Sequence, residues 1–154
     1  MNENKTGSLQ LIRADFECLD EVAGLFDQYR QFYEQPADFE KARHYISQRM
    51  ANGESVIFLA RLGEKPAGFV QLYGSFCSVA ASPIWILYDL YVTDSSRGRG
   101  VGEALMNRAR DLARETGASR LELSTATDNL VAQRLYERLG YQRDEAFFVY
   151  SLEF

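Results

Sequence analysis

Residues 84–102, IWILYDLYVTDSSRGRGVG, decide how this chain is read. An apolar run from Ile84 to Val92 holds a single carboxylate, Asp89. A short polar turn follows at residues 93–96. Then Arg97-Gly98-Arg99-Gly100-Val101-Gly102 runs straight into a helical pattern. The order is a buried strand, a glycine-rich turn and a helix with an open N-terminus. The N–H groups of such an end have no intrahelical partners, and the aligned peptide dipoles favour an anion there. Glycines let a phosphate approach the backbone because no Cβ stands in the way. The stretch therefore points to a phosphorylated ligand. The plainer alternative is that the glycines only turn the chain and the arginines sit on a solvated loop.

Spacing narrows the ligand. A P-loop ends in Lys-Ser or Lys-Thr, but Gly102 is followed by Glu103. The dinucleotide fingerprint needs Gly-x-Gly-x-x-Gly, and the position three after Gly100 is again Glu103. What fits is Arg-x-x-Gly-x-Gly, met by Arg97, Gly100 and Gly102.

Composition excludes several classes. A length of 154 residues suits one domain with a real core, and 46% hydrophobic with 25% charged residues is ordinary for a globular chain. The net charge of −5 argues against nucleic acid as a partner and is compatible with a cationic amine. No apolar run reaches membrane-spanning length, and MNENKTGS at the start is polar rather than a signal peptide, so no membrane partner is expected and the cytoplasm is the default location. Two cysteines, Cys18 and Cys77, without CxxC and with a single histidine, His44, argue against a metal site. His44 reads as a surface or packing residue. Cys77 has no histidine in a recognisable partnership with it, which argues against an acyl-cysteine intermediate.

Along the chain, residues 9–13 (LQLIR) read as a first strand. Asp15 is placed to cap the next helix, whose apolar face is Leu19, Val22, Phe26, Tyr29 and Tyr33. Pro36 ends it. Asp38 then caps a second helix with Phe39, Ala42, Ile46 and Met50 on one face, closed by Asn52-Gly53. Residues 55–61 and 67–73 form a hairpin about the turn 63–66. Residues 74–83 (GSFCSVAASP) read as a loop, either lining a substrate entrance or simply connecting. The apolar run 84–92 suits a strand covered on both faces. Val101, Ala104, Leu105, Ala109, Leu112 and Ala113 define a helix face ended by Gly117, and residues 120–124 form the next strand, parallel to the run at 84–92. A turn at 125–128 leads to Asn129 and a helix with Ala132, Leu135, Tyr136 and Leu139 on one face, closed by Gly140. Residues 141–154 carry two short strand signals with a turn at Asp144-Glu145. The fold class is α/β: one domain over residues 1–154, ordered from residue 9, with a mixed central sheet and helices on both faces.

A second motif joins the first. Asn129-Leu-Val-Ala132-Gln-Arg-Leu135-Tyr136-Glu137-Arg-Leu139-Gly140-Tyr141 has the form Asn-x-x-Ala-x-x-Leu-Tyr-x-x-x-Gly-Phe/Tyr. With Arg97-x-x-Gly100-x-Gly102 it resembles the GCN5-related N-acetyltransferases, over the C-terminal half of the chain. Tyr88-Asp89-Leu90-Tyr91-Val92 is similar to the strand of small amine acetyltransferases of the polyamine and histone-tail type. In the polyamine enzymes a glutamate commonly precedes the aspartate, whereas here that position is Tyr88.

The resemblance implies acetyl-CoA as donor and a primary amine as acceptor, and the cysteine and histidine count implies no metal. The acceptor is expected to be a small molecule such as an amino acid or polyamine, with a protein lysine or N-terminus as the alternative. A silent CoA-binding regulatory module is a reading of another class. The family pattern implies that the backbone of Leu90, Tyr91 and Val92 holds the pantetheine arm. Arg97, Gly98, Arg99, Gly100, Val101 and Gly102 would hold the pyrophosphate. Asn129, Ala132 and Tyr136 would face the cofactor, with Asn129 also a candidate helix cap. Tyr136 matches the phenol that protonates the leaving thiolate, and a packing role is its alternative. Asp89, alone in an apolar run, is a candidate base, an anchor for the acceptor's ammonium, or a structural acid. Trp85 and Tyr88 are candidate walls for the acceptor, since aromatic faces suit a cation. Core packing explains these two equally. The aromatic C-terminal run offers an edge to a second copy, giving a homodimer, or closes the chain's own sheet.

Overall fold

The computed structural model describes residues 7–154, which fall into two compact units, the first ending at Leu123 and the second comprising Ser124–Phe154. The first unit holds a five-stranded sheet in the order β1-β2-β3-β4-β5. The strands are β1 (Leu9–Arg13), β2 (Ser55–Leu62), β3 (Lys65–Cys77), β4 (Ser82–Val92) and β5 (Leu121–Leu123). The pairs from β1 to β4 are antiparallel, and β4 pairs β5 in parallel. The mixed sheet expected from the sequence is therefore present.

Helices α1 (Leu19–Phe32) and α2 (Phe39–Ala51) cover one face. Asp15 accepts from the Glu17 N–H in a single 3-10 turn ahead of α1, and Asp38 accepts from the Lys41 N–H at the start of α2, satisfying donors that would otherwise be orphaned. Leu19, Val22, Phe26, Ala42 and Ile46 bury against Ile57, Leu59 and Phe69 of the sheet. Alternation along the strands sends Phe58 to the other face, where Arg108 of α3 (Val101–Glu115) lies over its ring at 4.4 Å. Gly68 lets α3 begin close to the sheet, since a Cβ there would meet the Tyr91 carbonyl oxygen at 2.6 Å and Val101 Cγ1 at 3.3 Å.

Three expectations are corrected. Residues 74–83 are not a loop: β3 runs on to Cys77 and β4 starts at Ser82, with Gly74 opposite Trp85 and Phe76 opposite Pro83. Local composition there says loop, but ladder pairing and the Trp85 ring, 3.7 Å from where a Gly74 Cβ would stand, override it. Second, β4 is not uniformly covered, because Tyr88 is 66% exposed. Its position is a β-bulge: Leu72 pairs with Leu87 and Gln71 with Asp89, so Tyr88 has no partner. Third, residues 141–154 form neither strand nor helix. Asp144 does make the expected turn, accepting from the Ala146 N–H at 2.8 Å and the Phe147 N–H at 3.2 Å. Strand-prone side chains alone do not make a strand without a paired backbone.

In the second unit, α4 (Leu130–Arg138) is capped by Asn129, whose Oδ1 accepts from the Ala132 N–H at 3.2 Å. Gln133 Nε2 donates to the carbonyls of Ala126 and Thr127, both at 3.1 Å, fixing the turn before the helix.

Candidate active site

The bulge at Tyr88 arranges the site. In a regular strand Trp85, Leu87 and Asp89 would share one face. The extra residue reverses the alternation, so Trp85 and Leu87 lie with Gly74 and Leu72, whereas Asp89 lies with Gln71. Asp89 is thereby turned to the α1 and α2 face. There it is buried and lines a cavity of about 280 Å³. Phe26, Tyr29 and Arg30 of α1, Tyr33 at its C-cap, Gln35, Tyr45 of α2, Tyr73 of β3 and Tyr88 complete the wall.

The Asp89 carboxylate is held from two sides. Gln71 Nε2 donates to its Oδ2 at 2.7 Å, and the Tyr29 hydroxyl donates to it as well. Burial pushes its pKa above the ordinary carboxylate range, and the two hydrogen bonds oppose that shift. The neighbouring phenols shift upward too. Burial and the Asp89 charge raise Tyr29, and burial with the Tyr45 hydrogen bond raises Tyr73. The Tyr45 and Tyr73 hydroxyls are 2.7 Å apart, and the Tyr73 and Tyr88 rings meet edge to face at 5.5 Å. The cavity thus joins one carboxylate to several neutral aromatic rings, an arrangement that attracts a cation.

Trp85 does not join this group. Its indole donates to Thr116 Oγ1 at 2.8 Å and lines a separate cavity with Gly74 and Pro83. The bulge separates it from Asp89, and sequence periodicity gives no sign of a bulge. Tyr29 and Gln71, by contrast, hydrogen-bond Asp89, and Arg30, Tyr33 and Tyr73 line its cavity, although none of the five stands out as a site residue in the sequence. The available signal was the Tyr29 and Tyr33 pair, one helical turn apart on a face otherwise bound for the core.

At its C-terminal end β4 leaves the parallel partner. Pairing with β5 stops at Leu87, and Leu90, Tyr91 and Val92 lie beyond it. The chain then makes a 3-10 turn, Asp94–Ser96, where Thr93 Oγ1 donates to Ser96 Oγ at 2.8 Å. Arg97 is tied back by Nε to the Val92 carbonyl at 3.3 Å and by Nη1 to Asp94 at 2.9 Å. Gly98 and Gly100 have φ of +70° and +77°, and a Cβ at either would meet nothing within 4 Å. Gly100 is the N-cap of α3 and has no side chain to occupy the helix mouth. A left-handed, unobstructed turn at an open helix end fits a pyrophosphate. In the second unit the Tyr136 and Tyr141 rings lie 6.1 Å apart.

Among the described residues no group of three or more His, Cys, Asp or Glu is arranged to hold a metal ion, and no helix is long and apolar enough to cross a membrane. His44 is exposed.

The model of the acetyltransferase (GNAT) family matches residues 19–141, and the chain belongs to that family. It is an acetyl-CoA-dependent N-acetyltransferase. An uncharacterized N-acetyltransferase of Bacillus subtilis (strain 168) is 42% identical over 131 residues, 85% of this chain and 88% of its own length. A crystal structure of a probable acetyltransferase superposes with a TM-score of 0.88 at 40% identity, covering 94% of this chain and 97% of that one. A thialysine N-epsilon-acetyltransferase of Caenorhabditis elegans is 28% identical over 117 residues, 74% of this chain and 70% of its own length.

Proposed function

We propose that this enzyme acetylates the primary amine of a small molecule, and that Asp89 in its tyrosine-walled cavity receives the acceptor. The observation that carries the proposal is a buried carboxylate inside an aromatic cavity of about 280 Å³. That volume lies near the low end for ligand pockets, about 300 Å³, and suits a small amine better than a peptide segment. The thialysine relative acts, by its name, on a small amino-acid amine, which supports the same class.

Acetyl-CoA supplies an activated acetyl group. The pyrophosphate is assigned to the turn formed by Arg97, Gly98, Arg99, Gly100, Val101 and Gly102, and the pantetheine arm to the β4 edge at Leu90, Tyr91 and Val92. Asn129 and Ala132 are assigned to the cofactor side through the motif they share with Tyr136. Asp89 first draws in the ammonium and then takes its proton, directly or through one water. A neutral amine can then form the new N–C bond as the C–S bond breaks. An upward-shifted carboxyl is the better proton acceptor for this step, because its affinity for a proton is closer to that of the amine. Tyr136 donates its phenolic proton to the departing sulfur, the excess proton on the acylated nitrogen restores the phenol through water, and Asp89 releases its own proton to solvent. Tyr88, at the bulge, walls the acceptor. The chain acts as one catalytic domain over residues 1–154.

The test is a purified-enzyme screen of acetyl-CoA against polyamines, amino acids and lysine peptides, read by free thiol release. Turnover of a small amine above the peptides supports the proposal. Turnover of lysine peptides alone overturns it.

A further inference from the structure

Asp89 is not the only charged group in the cavity. Arg30 stands next to Tyr29 in α1 and lines the same wall. Its side chain is only 16% exposed, and its Nη1 is buried without a hydrogen-bond acceptor. The nearest anion is Asp27, at a loose 4.0 Å. Asp27 is already engaged: its Oδ1 accepts from the Asp38 N–H at 2.9 Å, and its Oδ2 accepts from Gln31 Nε2 at 3.2 Å. A buried guanidinium N–H with no acceptor carries an uncompensated desolvation penalty, so it calls for an explanation such as a ligand that it binds.

We infer that the acceptor is an amine that also carries a carboxylate, with its ammonium at Asp89 and its carboxylate on Arg30. This rests on the reading of the cavity as the acceptor site. Arg30 presents a planar fork that matches a carboxylate in two parallel hydrogen bonds. Among the described residues the cavity wall contains one cation, Arg30, and one anion, Asp89, the complement of a zwitterion. A phosphonate or phosphate dianion would call for more positive charge than one guanidinium supplies. A diamine would place a second cation against Arg30.

The experiment compares matched acceptors with acetyl-CoA: lysine against lysinamide and cadaverine, and ornithine against putrescine. The expected result is a kcat/KM for the carboxylates at least ~10-fold above their amide or decarboxylated counterparts. Arg30→Gln should bring that ratio close to one by raising KM for the carboxylates, and Arg30→Lys should restore part of it. Equal or better use of lysinamide and the diamines by the wild-type enzyme would overturn the inference while leaving the small-amine reading intact. So would an equal loss on all acceptors in Arg30→Gln. Acetylation of lysine peptides with no turnover of any small amine would overturn both.

Discussion

Gln71 Nε2 donates to Asp89 Oδ2 at 2.7 Å across the bulged register of β3 and β4, and both residues are buried. The acceptor-only carboxylate orients the amide, whose Oε1 then accepts from Ser55 Oγ at 2.9 Å. A hydrogen-bond chain therefore runs from a serine on β2 to a carboxylate two strands away. Burial disfavours the charge on Asp89, and this hydrogen-bond chain, with Tyr29, partly compensates for it.

Tyr29→Phe removes one of those compensating donors. Asp89 then shifts further upward, and the rising limb of kcat/KM against pH moves to higher pH. The stability effect has a defined sign. A carboxyl whose folded pKa lies above its unfolded one favours the native state fully below the unfolded value, about 3.9, and that contribution is lost as pH rises through the folded value. The variant should widen this window upward, seen as urea midpoints compared with wild type across the acid range. Superimposable pH profiles would contradict the hydrogen bond's role.

Gly102→Glu separates cofactor binding from folding. Glutamate at the second residue of α3 should stabilise the helix by about 1 kcal/mol through higher helix propensity, helped by the dipole. The same carboxylate would repel a pyrophosphate at the helix mouth. Calorimetry should show acetyl-CoA affinity lost while the melting temperature holds or rises. Retained affinity would remove the pyrophosphate from this turn.

Tyr136→Phe should lower kcat by ~100-fold, the ordinary size of a general-acid contribution, with little change in acetyl-CoA affinity. Equal loss of both would assign Tyr136 to packing.

Trp85→Phe tests the separation that the bulge imposes. It should cost about 1 kcal/mol through loss of the indole bond to Thr116, with KM for the acceptor unchanged. A large rise in acceptor KM would place Trp85 in the acceptor site after all.

Much of this architecture is legible in the sequence, for identifiable reasons. Asp38 and Asn129 announce helix starts because a short polar side chain can reach the first free N–H groups. The glycine turn is legible because Gly98 and Gly100 occupy backbone angles that other residues resist. What eludes a one-dimensional reading is register. Nothing in YDLYV marks Tyr88 as a bulge, yet that single insertion parts Trp85 from Asp89 and brings Asp89 to Tyr29 and Arg30. The hairpin at residues 74–83 hides for a related reason, since Gly74 and Ser75 look like loop until the paired strand is known. The aromatic tail shows the converse: strong strand propensity at Phe147 and Tyr150, with no strand formed.

The most direct test of the account is the rate of thiol release by wild type and Asp89→Asn with the best small-amine acceptor, alongside acetyl-CoA affinity. Loss of the carboxylate that lines the cavity should reduce kcat/KM by ~100-fold or more while acetyl-CoA binds as before. Wild-type rates in Asp89→Asn over a broad pH range would contradict the account and leave Asp89 a structural residue.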